Sequence, residues 1–324
     1  MRARIVKWNI SALALGTVAV IGGLAVVPPL AAATGAGFYV DVFTRIMIFG
    51  IAALSLDIIL GYGGMVSFGH AAYLGIGAYS VGILAFYGIH NGFLQFGTAI
   101  LSSALAALFI GFISLRTSGV YFIMITLAFA QMIYFLSISL NTYGGDNGLN
   151  IDRHSDFAGL VNLNDPNVLY YAVFAVLLAF FLLARRLVGS RFGMVIRGAR
   201  SNERRMAAIG FPALRYKLTA FVIAGAMCGV AGALLANQEL FVAPAIMEWT
   251  RSGEILMMVI LGGMGTLVGP IAGSVAFLAL ETVLADVTQH WQAIMGPILV
   301  LVILFARGGI FGLISGAGKE RRRG

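Results

Sequence analysis

The stretch EILMMVILGGMGTLVGPIAGSVAFLALETVL, residues 254–284, decides how the chain is built. It is longer than the roughly 20 residues that one bilayer crossing needs at about 1.5 Å per residue. Its middle is interrupted by Gly262-Gly263-Met264-Gly265-Thr266 and then by Gly269-Pro270. Several glycines and a proline together destabilise a helix interior. The break frees backbone groups that lipid cannot satisfy, so it must be buried in protein or line a wet cavity. The stretch therefore reads as a broken helical hairpin that dips into the membrane and comes back out.

Eight other apolar runs flank it, near residues 10–30, 43–61, 70–89, 93–115, 118–141, 168–186, 216–236 and 293–310. Of the 324 residues, 60% are hydrophobic and 10% are charged, against about 25% charged in a soluble domain. A soluble fold of this size cannot hide so much apolar surface; a bilayer can, because lipid solvates the outward faces. The runs are continuous rather than alternating, which argues against a β-barrel. The expected fold is all-α: a polytopic transmembrane bundle forming one domain over residues 1–324. It has seven clear spans, the broken hairpin and a final span, with cytoplasmic N- and C-termini. The N-terminus, Met1-Arg2-Ala3-Arg4 with Ala31-Ala32-Ala33 downstream, looks like a signal peptide. Its apolar run is long enough to span, however, and reads as a retained first helix.

The net charge of +8 does not point to nucleic acid, because the basic residues sit in short loops between apolar runs. That is the positive-inside bias. Residues 185–217 carry Arg185, Arg186, Arg191, Arg197, Arg200, Arg204, Arg205, Arg215 and Lys217 against one acid, Glu203. The tail from Arg307 and the N-terminal Arg2, Arg4 and Lys7 are the other basic ends. All three are expected in the cytoplasm. The 142–167 loop, with Asp146, Asp152, Asp156 and Asp165 against Arg153, is expected outside. Six crossings from an inside start end inside at residue 187, and the seventh exits near 237. The C-terminus returns inside only if 254–284 enters and leaves on one side. Charge and glycine break thus agree. On this map 18 of the 21 basic residues lie inside, the exceptions being Arg45, Arg153 and Arg251.

Function is concentrated in three segments. Two are glycine-rich: Gly61-Tyr62-Gly63-Gly64-Met65-Val66-Ser67-Phe68-Gly69-His70, and the 262–273 stretch. Single glycines, such as Gly75 and Gly77, can simply allow close helix packing. Broken helices near the midplane, in two separate parts of a chain, are a sequence pointer to a transport pathway. The third segment, 187–215, is the basic loop. Ser201 is placed to cap a short helix through Ala208, with Gly210 ending it and Met206 and Ile209 as its apolar patch. Such a helix suits docking to a partner; an ordinary positive-inside loop is the plainer alternative. Ionisable groups at membrane depth are few: Asp57, His70 and Glu281. Each is costly unless paired or wet. Asp57 either lines a path or is a protonated carboxyl bonded to a neighbouring helix. His70 either packs or caps, or relays protons. Asp41, Arg45, Glu239, Glu248 and Glu254 fall near the external interface and need no special account. Cys228 lies in an apolar run and reads as a small buried hydrophobe. No nucleotide-binding glycine loop, no His-Glu-x-x-His and no clustered His or Cys occurs. Any ATP used must bind to another chain.

The stretches 59–64, 67–73 and 75–79 resemble the signature of branched-chain amino-acid ABC transporter permeases, the LivM group. The likeness continues in Ser190-Arg191-Phe192-Gly193 with Arg197, Glu203, Ala207 and Gly210, then in Ala231-Gly232-Ala233-Leu234 and Ser252-Gly253-Glu254. It closes on Leu261-Gly262-Gly263-Met264-Gly265-Thr266 and Gly269-Pro270. It covers about residues 45–310. The resemblance implies that 187–215 is a cytoplasmic coupling segment, with Arg197, Glu203, Ala207 and Gly210 at the ATPase contact. It implies a translocation pathway at Asp57, Gly61, Gly64, Met65, Ser67, His70, Gly262, Gly263 and Gly265. It also implies a homologous second permease subunit, two ATP-binding subunits and an external solute-binding protein, in a bacterial inner membrane, with no cofactor on this chain. Two positions depart: Asp57 stands where the family usually has Asn, and Met65 where it usually has Gln. They leave urea, amides or aromatic acids open as solutes beside branched-chain amino acids. A self-sufficient secondary transporter or channel that uses Asp57, His70 and Glu281 is the alternative class.

Overall fold

The computed structural model describes residues 10–35, 37–288, 290–305 and 309. The basic N-terminal residues and the tail from residue 310 lie outside these, as does Arg307. Twelve α-helices follow one another among the described residues. They are α1 (Ile10–Thr34), α2 (Phe38–Asp57), α3 (His70–Phe86), α4 (Gly92–Ser114), α5 (Val120–Ser139) and α6 (Pro166–Gly189). Then come α7 (Arg191–Ser201), α8 (Glu203–Ala208), α9 (Ala213–Glu239), α10 (Trp249–Gly262), α11 (Gly269–Val287) and α12 (Trp291–Phe305). A π-helical turn, Ile58–Tyr62, prolongs α2.

Local chemistry sets the ends. The Asn91 side chain accepts the Leu94 N–H at 3.2 Å and starts α4. The Asp165 side chain accepts the Asn167 N–H at 2.9 Å and starts α6, with Pro166 in the first turn where its missing N–H costs nothing. The hairpin expected at 254–284 is present as α10 and α11, joined by residues 263–268. Gly263 stops α10 at φ +118°, a conformation that a side chain would oppose.

Among the described residues, six helical segments are long and apolar enough to cross a membrane: Gly16–Ala33, Phe38–Tyr62, Gly92–Ser114, Val120–Ser139, Pro166–Gly189 and Ala213–Glu239. They are layered. In the α2 and α9 segments 83% and 72% of residues are buried, against 22–33% in α4, α5 and α6. So α2 and α9, with α3, form the centre. The other three turn apolar residues such as Leu105, Phe109, Phe112, Met132, Phe135 and Leu182 outward, as a lipid solvent permits. Between helices in lipid the drive is close packing rather than exclusion of water. At the α3–α9 crossing a Cβ on Gly77 would strike the Gly229 carbonyl, and one on Gly232 would strike the Leu74 carbonyl. The two backbones touch.

The third expected span differs from its reading. α3 has 17 residues, about 26 Å of helix, short of the roughly 30 Å hydrocarbon core. The chain before it makes up the distance. Residues 63–69 run inward as a non-helical connection between α2 and α3. The Phe68 N–H donates to Thr126 Oγ1 at 3.3 Å. Thr126 lies six residues into α5, about 9 Å from its start. Most of this connection is buried in protein, as irregular backbone at that depth must be.

The acidic 142–167 segment lies over one end of the bundle. Leu149–Asn150 (β1) pairs antiparallel with Phe241–Val242 (β2), just after α9. The Ser155 N–H donates to Asn237 Oδ1 at 2.8 Å, and the Asp156 N–H donates to the His90 carbonyl at 2.7 Å. The basic α7 and α8 lie at the other end.

Candidate functional site

The two glycine-rich segments are 200 residues apart in sequence, yet they meet. The Asp57 carboxylate at the end of α2 accepts the Gly265 N–H at 2.8 Å through Oδ1. Asp57 is fully buried, and its Oδ2 has no hydrogen-bond partner among the described residues. The bond ties the end of α2 to the connection between α10 and α11. Gly61 lies between the two partners: a Cβ there would strike the Asp57 carboxylate and the Gly265 nitrogen. Gly309 packs against Gly263 from the other side.

The basic segment joins the same place. Arg200, near the end of α7, donates from Nη1 to the Gly61 carbonyl. Its aliphatic stem covers Gly64, where a Cβ would come within 2.9 Å of Arg200 Cγ. One junction therefore holds the end of α2, the α10–α11 connection and α7. Both connections lie toward the α7 end of the bundle. α10 runs 14 residues, about 21 Å, from the acidic end before it breaks. A cavity of about 340 Å³ opens beside the junction, lined by Gly64, Met65, Arg200, Asn202, Glu203 and Lys217 among others.

Met65 follows the junction and is buried, its N–H donating to the Ile59 carbonyl at 2.9 Å. Ser67 turns inward and its Oγ accepts the Gly69 N–H at 3.2 Å. His70 begins α3 away from the junction. Its Nε2 lies 2.8 Å from Ser55 Oγ, its ring stands edge-on to Tyr73, and its carbonyl accepts the buried Cys228 thiol at 3.4 Å. Gly262 and Gly263 close α10. A Cβ on Gly262 would strike the Gly269 carbonyl, which is how α10 and α11 approach so closely.

Within 187–215, Arg197 folds back on its own segment, donating to the Gly193 carbonyl at 3.3 Å and the Val188 carbonyl at 3.2 Å. Glu203 pairs with Lys217 at 2.6 Å. The expected cap is corrected by one residue. Ser201 ends α7 and its hydroxyl donates to the Gly198 carbonyl at 2.8 Å. Asn202 caps α8 instead, accepting the Arg205 N–H at 2.9 Å. An Asn amide oxygen caps as well as a Ser hydroxyl does, and Ser201 was already committed to the preceding turn. The expected apolar patch is altered too. Met206 lies over Gly198, where a Cβ would come within 2.7 Å of its sulfur. The exposed apolar face is instead Ile209, Phe211 and Leu214, next to exposed Ala207 and Gly210.

Sequence reasoning passed over Arg200, whose contacts tie the junction together. It stands among nine basic residues and nothing in its spacing marks it. It also passed over Arg45 as an interface residue. Glu281 joins Arg45 and Glu239 around a second cavity at the acidic end. Among the described residues no group of three or more His, Cys, Asp or Glu side chains is placed to hold a metal ion.

Buried non-helical connections, an apolar outer ring and a basic end define a polytopic helical membrane protein. The chain belongs to the branched-chain amino acid transport system permease component family, whose profile matches residues 38–319. It is 29% identical over 300 residues to the high-affinity branched-chain amino acid transport system permease protein LivM of Salmonella typhimurium (strain LT2). It is equally similar to the LivM of Escherichia coli (strain K12). Each match covers 84% of this chain and 69% of the relative. A probable LivM of Methanocaldococcus jannaschii is 24% identical over 330 residues, covering 84% of this chain and 93% of that one. No solved structure matches the chain.

Proposed function

We propose that the chain is one of two homologous membrane subunits of an ATP-driven importer for branched-chain or related hydrophobic amino acids in a bacterial inner membrane. It carries no cofactor and is not itself a catalyst. Two separate ATP-binding subunits bind and hydrolyse the nucleotide, and an external binding protein delivers the solute. The acidic end faces outward and the α7–α8 end faces the cytoplasm, with both chain termini inside. The carrying observation is the bond from Arg200 of α7 to the Gly61 carbonyl. A push on residues 187–215 reaches the end of α2 directly, and through Asp57 and Gly265 it reaches the α10–α11 hairpin. Arg197, Glu203, Ala207 and Gly210 form the ATPase contact, with Ile209, Phe211 and Leu214 as its apolar centre. The path for the solute runs past Asp57, Gly61, Gly64, Met65, Ser67, His70 and the Gly262–Gly265 connection. Alternating access then follows from rocking these elements about the glycine connections.

Replacing Glu203 by Arg tests this. It puts a cation beside Lys217 and inverts the charge a partner would meet. Because Glu203 is half-exposed, losing the pair costs at most about 1 kcal/mol of stability. The E203R complex is expected to fold and to hydrolyse ATP without uptake. Normal ATP-dependent uptake by E203R refutes the coupling assignment.

A further inference from the structure

The cavity at the acidic end has a composition that simple packing does not explain. It is about 540 Å³ in volume and is walled by the start of α2, the end of α9 and the end of α11. Asp41, Arg45, Glu239 and Glu281 line it, with Val42, Ile46 and Leu278 as apolar wall. Arg251 and Glu254 on α10 stand nearby, and the charges of Arg45 and Arg251 are felt at both Glu239 and Glu281.

Two guanidinium groups and four carboxylates thus share one region, yet a single ion pair, Arg251 with Glu254 at 2.8 Å, forms among them. Among the described residues Arg45 makes no hydrogen bond; its charge rests 5.8 Å from the Phe49 ring centre. Its Nε is buried without a partner, and so are Glu281 Oε2 and Gln238 Oε1. Arg45 and Glu281 are both half-buried. Unpaired charge so close to lipid is costly, and buried polar atoms are normally satisfied. A ligand would supply what is missing.

Its charge can be worked out. A lone anion would suit Arg45 but meet four carboxylates. A lone cation would suit the carboxylates but meet Arg45 and Arg251. These acids are not placed to hold a metal ion. A small molecule with both charges a few bonds apart, and an apolar remainder, has a partner for Arg45, for the acids and for the apolar wall. The volume falls within the usual range of about 300–1,000 Å³ for small-ligand sites.

We propose that this cavity is a binding site for a zwitterionic α-amino acid with an apolar side chain. Arg45 receives the carboxylate, Glu281 and Glu239 receive the ammonium, and Val42, Ile46 and Leu278 receive the side chain. It rests on the importer reading above, of which it would be the outward-facing station. It differs from the path residues at the junction, which lie at the other end of α2.

Cysteine protection tests it in the whole complex in membrane vesicles. Thr282 lines the cavity, and the chain's own Cys228 is buried, so T282C is the reactive thiol this chain presents to a membrane-impermeant methanethiosulfonate. Leucine at about 10 mM is expected to slow labelling about tenfold, as for a site with a Kd of about 1 mM. Leucinamide and 4-methyl-2-hydroxypentanoate, which carry one charge each, are expected to give no protection. Adding R45Q or E281Q to T282C is expected to abolish protection by leucine, while R45K retains part of it. Absence of protection by leucine, equal protection by the single-charge analogues, or a T282C thiol that no reagent reaches, each overturns the proposal. The T282C comparison stands without the Arg45 and Glu281 variants, so their misfolding would not spare it. Protection by leucine in vesicles that show no ATP-driven uptake would remove the importer reading and leave the site standing.

Discussion

Asp57 offers the most exacting check on the junction. Its Oδ1 satisfies the Gly265 N–H at 2.8 Å, while Oδ2 is buried without a partner. Replacement by Ala removes the acceptor and leaves a buried N–H unsatisfied, at a cost of about 1–3 kcal/mol. Replacement by Asn keeps an acceptor oxygen in the same place and exchanges the unpartnered oxygen for an uncharged NH2. D57N is therefore expected to unfold within a degree or two of wild type. D57A is expected to unfold lower by about 2–12 °C, taking about 2–4 °C per kcal/mol for a chain of this order of size. The assay is thermal unfolding of the purified chain in detergent, followed by tryptophan fluorescence. The sharper readout is hydrogen exchange at residues 263–268, which should accelerate in D57A and stay slow in D57N. If D57A matches wild type in both while D57N falls, the hydrogen bond is not what holds the hairpin to α2.

Two further outcomes follow from the packing. G77A is expected to destabilise by about 1–3 kcal/mol or more, because its Cβ meets the rigid Gly229 carbonyl. The atoms nearest a Cβ at G75A belong to the Met247 side chain, which can rotate away, so its unfolding midpoint should fall measurably less. Asn202→Ala removes the α8 cap and should cost about 1 kcal/mol locally. Protease cleavage within 203–208 would rise while the global unfolding midpoint stays put; unchanged cleavage would mean that α8 does not depend on its cap.

Most of the architecture could be read from one chain because lipid imposes a simple code. Length of apolar run, punctuation by glycine and the sign of loop charge suffice for helices such as α4, α6 and α9. The hairpin at 254–284 was legible for the same reason, since Gly262–Gly265 with Pro270 breaks any helix. The depth of residues 63–69 was not, because their inward course depends on Thr126, half a bundle away, offering its hydroxyl to Phe68. The Asp57–Gly265 bond was open from sequence: an acid in an apolar run declares a cost, but not who shares it. Arg200 was invisible among its basic neighbours, since only the fold distinguishes the one that reaches Gly61. Arg45 and Glu281 were separated by more than two hundred residues and by opposite readings, one set aside as an interface residue and one noted as an isolated acid. Tertiary placement alone puts them around one cavity.

The contact between α3 and α9 limits how this bundle can move. Where carbonyl meets Cα with no side chain between, two helices have no cushion that could shear. A shift of one residue would drive Ile76 or Ala78 into the facing backbone. α3 and α9 therefore travel as a single body, and the freedom a carrier needs must be found elsewhere. It is left to the short non-helical joints at 63–69 and 263–268. The two helices form one stiff central beam, and any bending falls to the joints beside it.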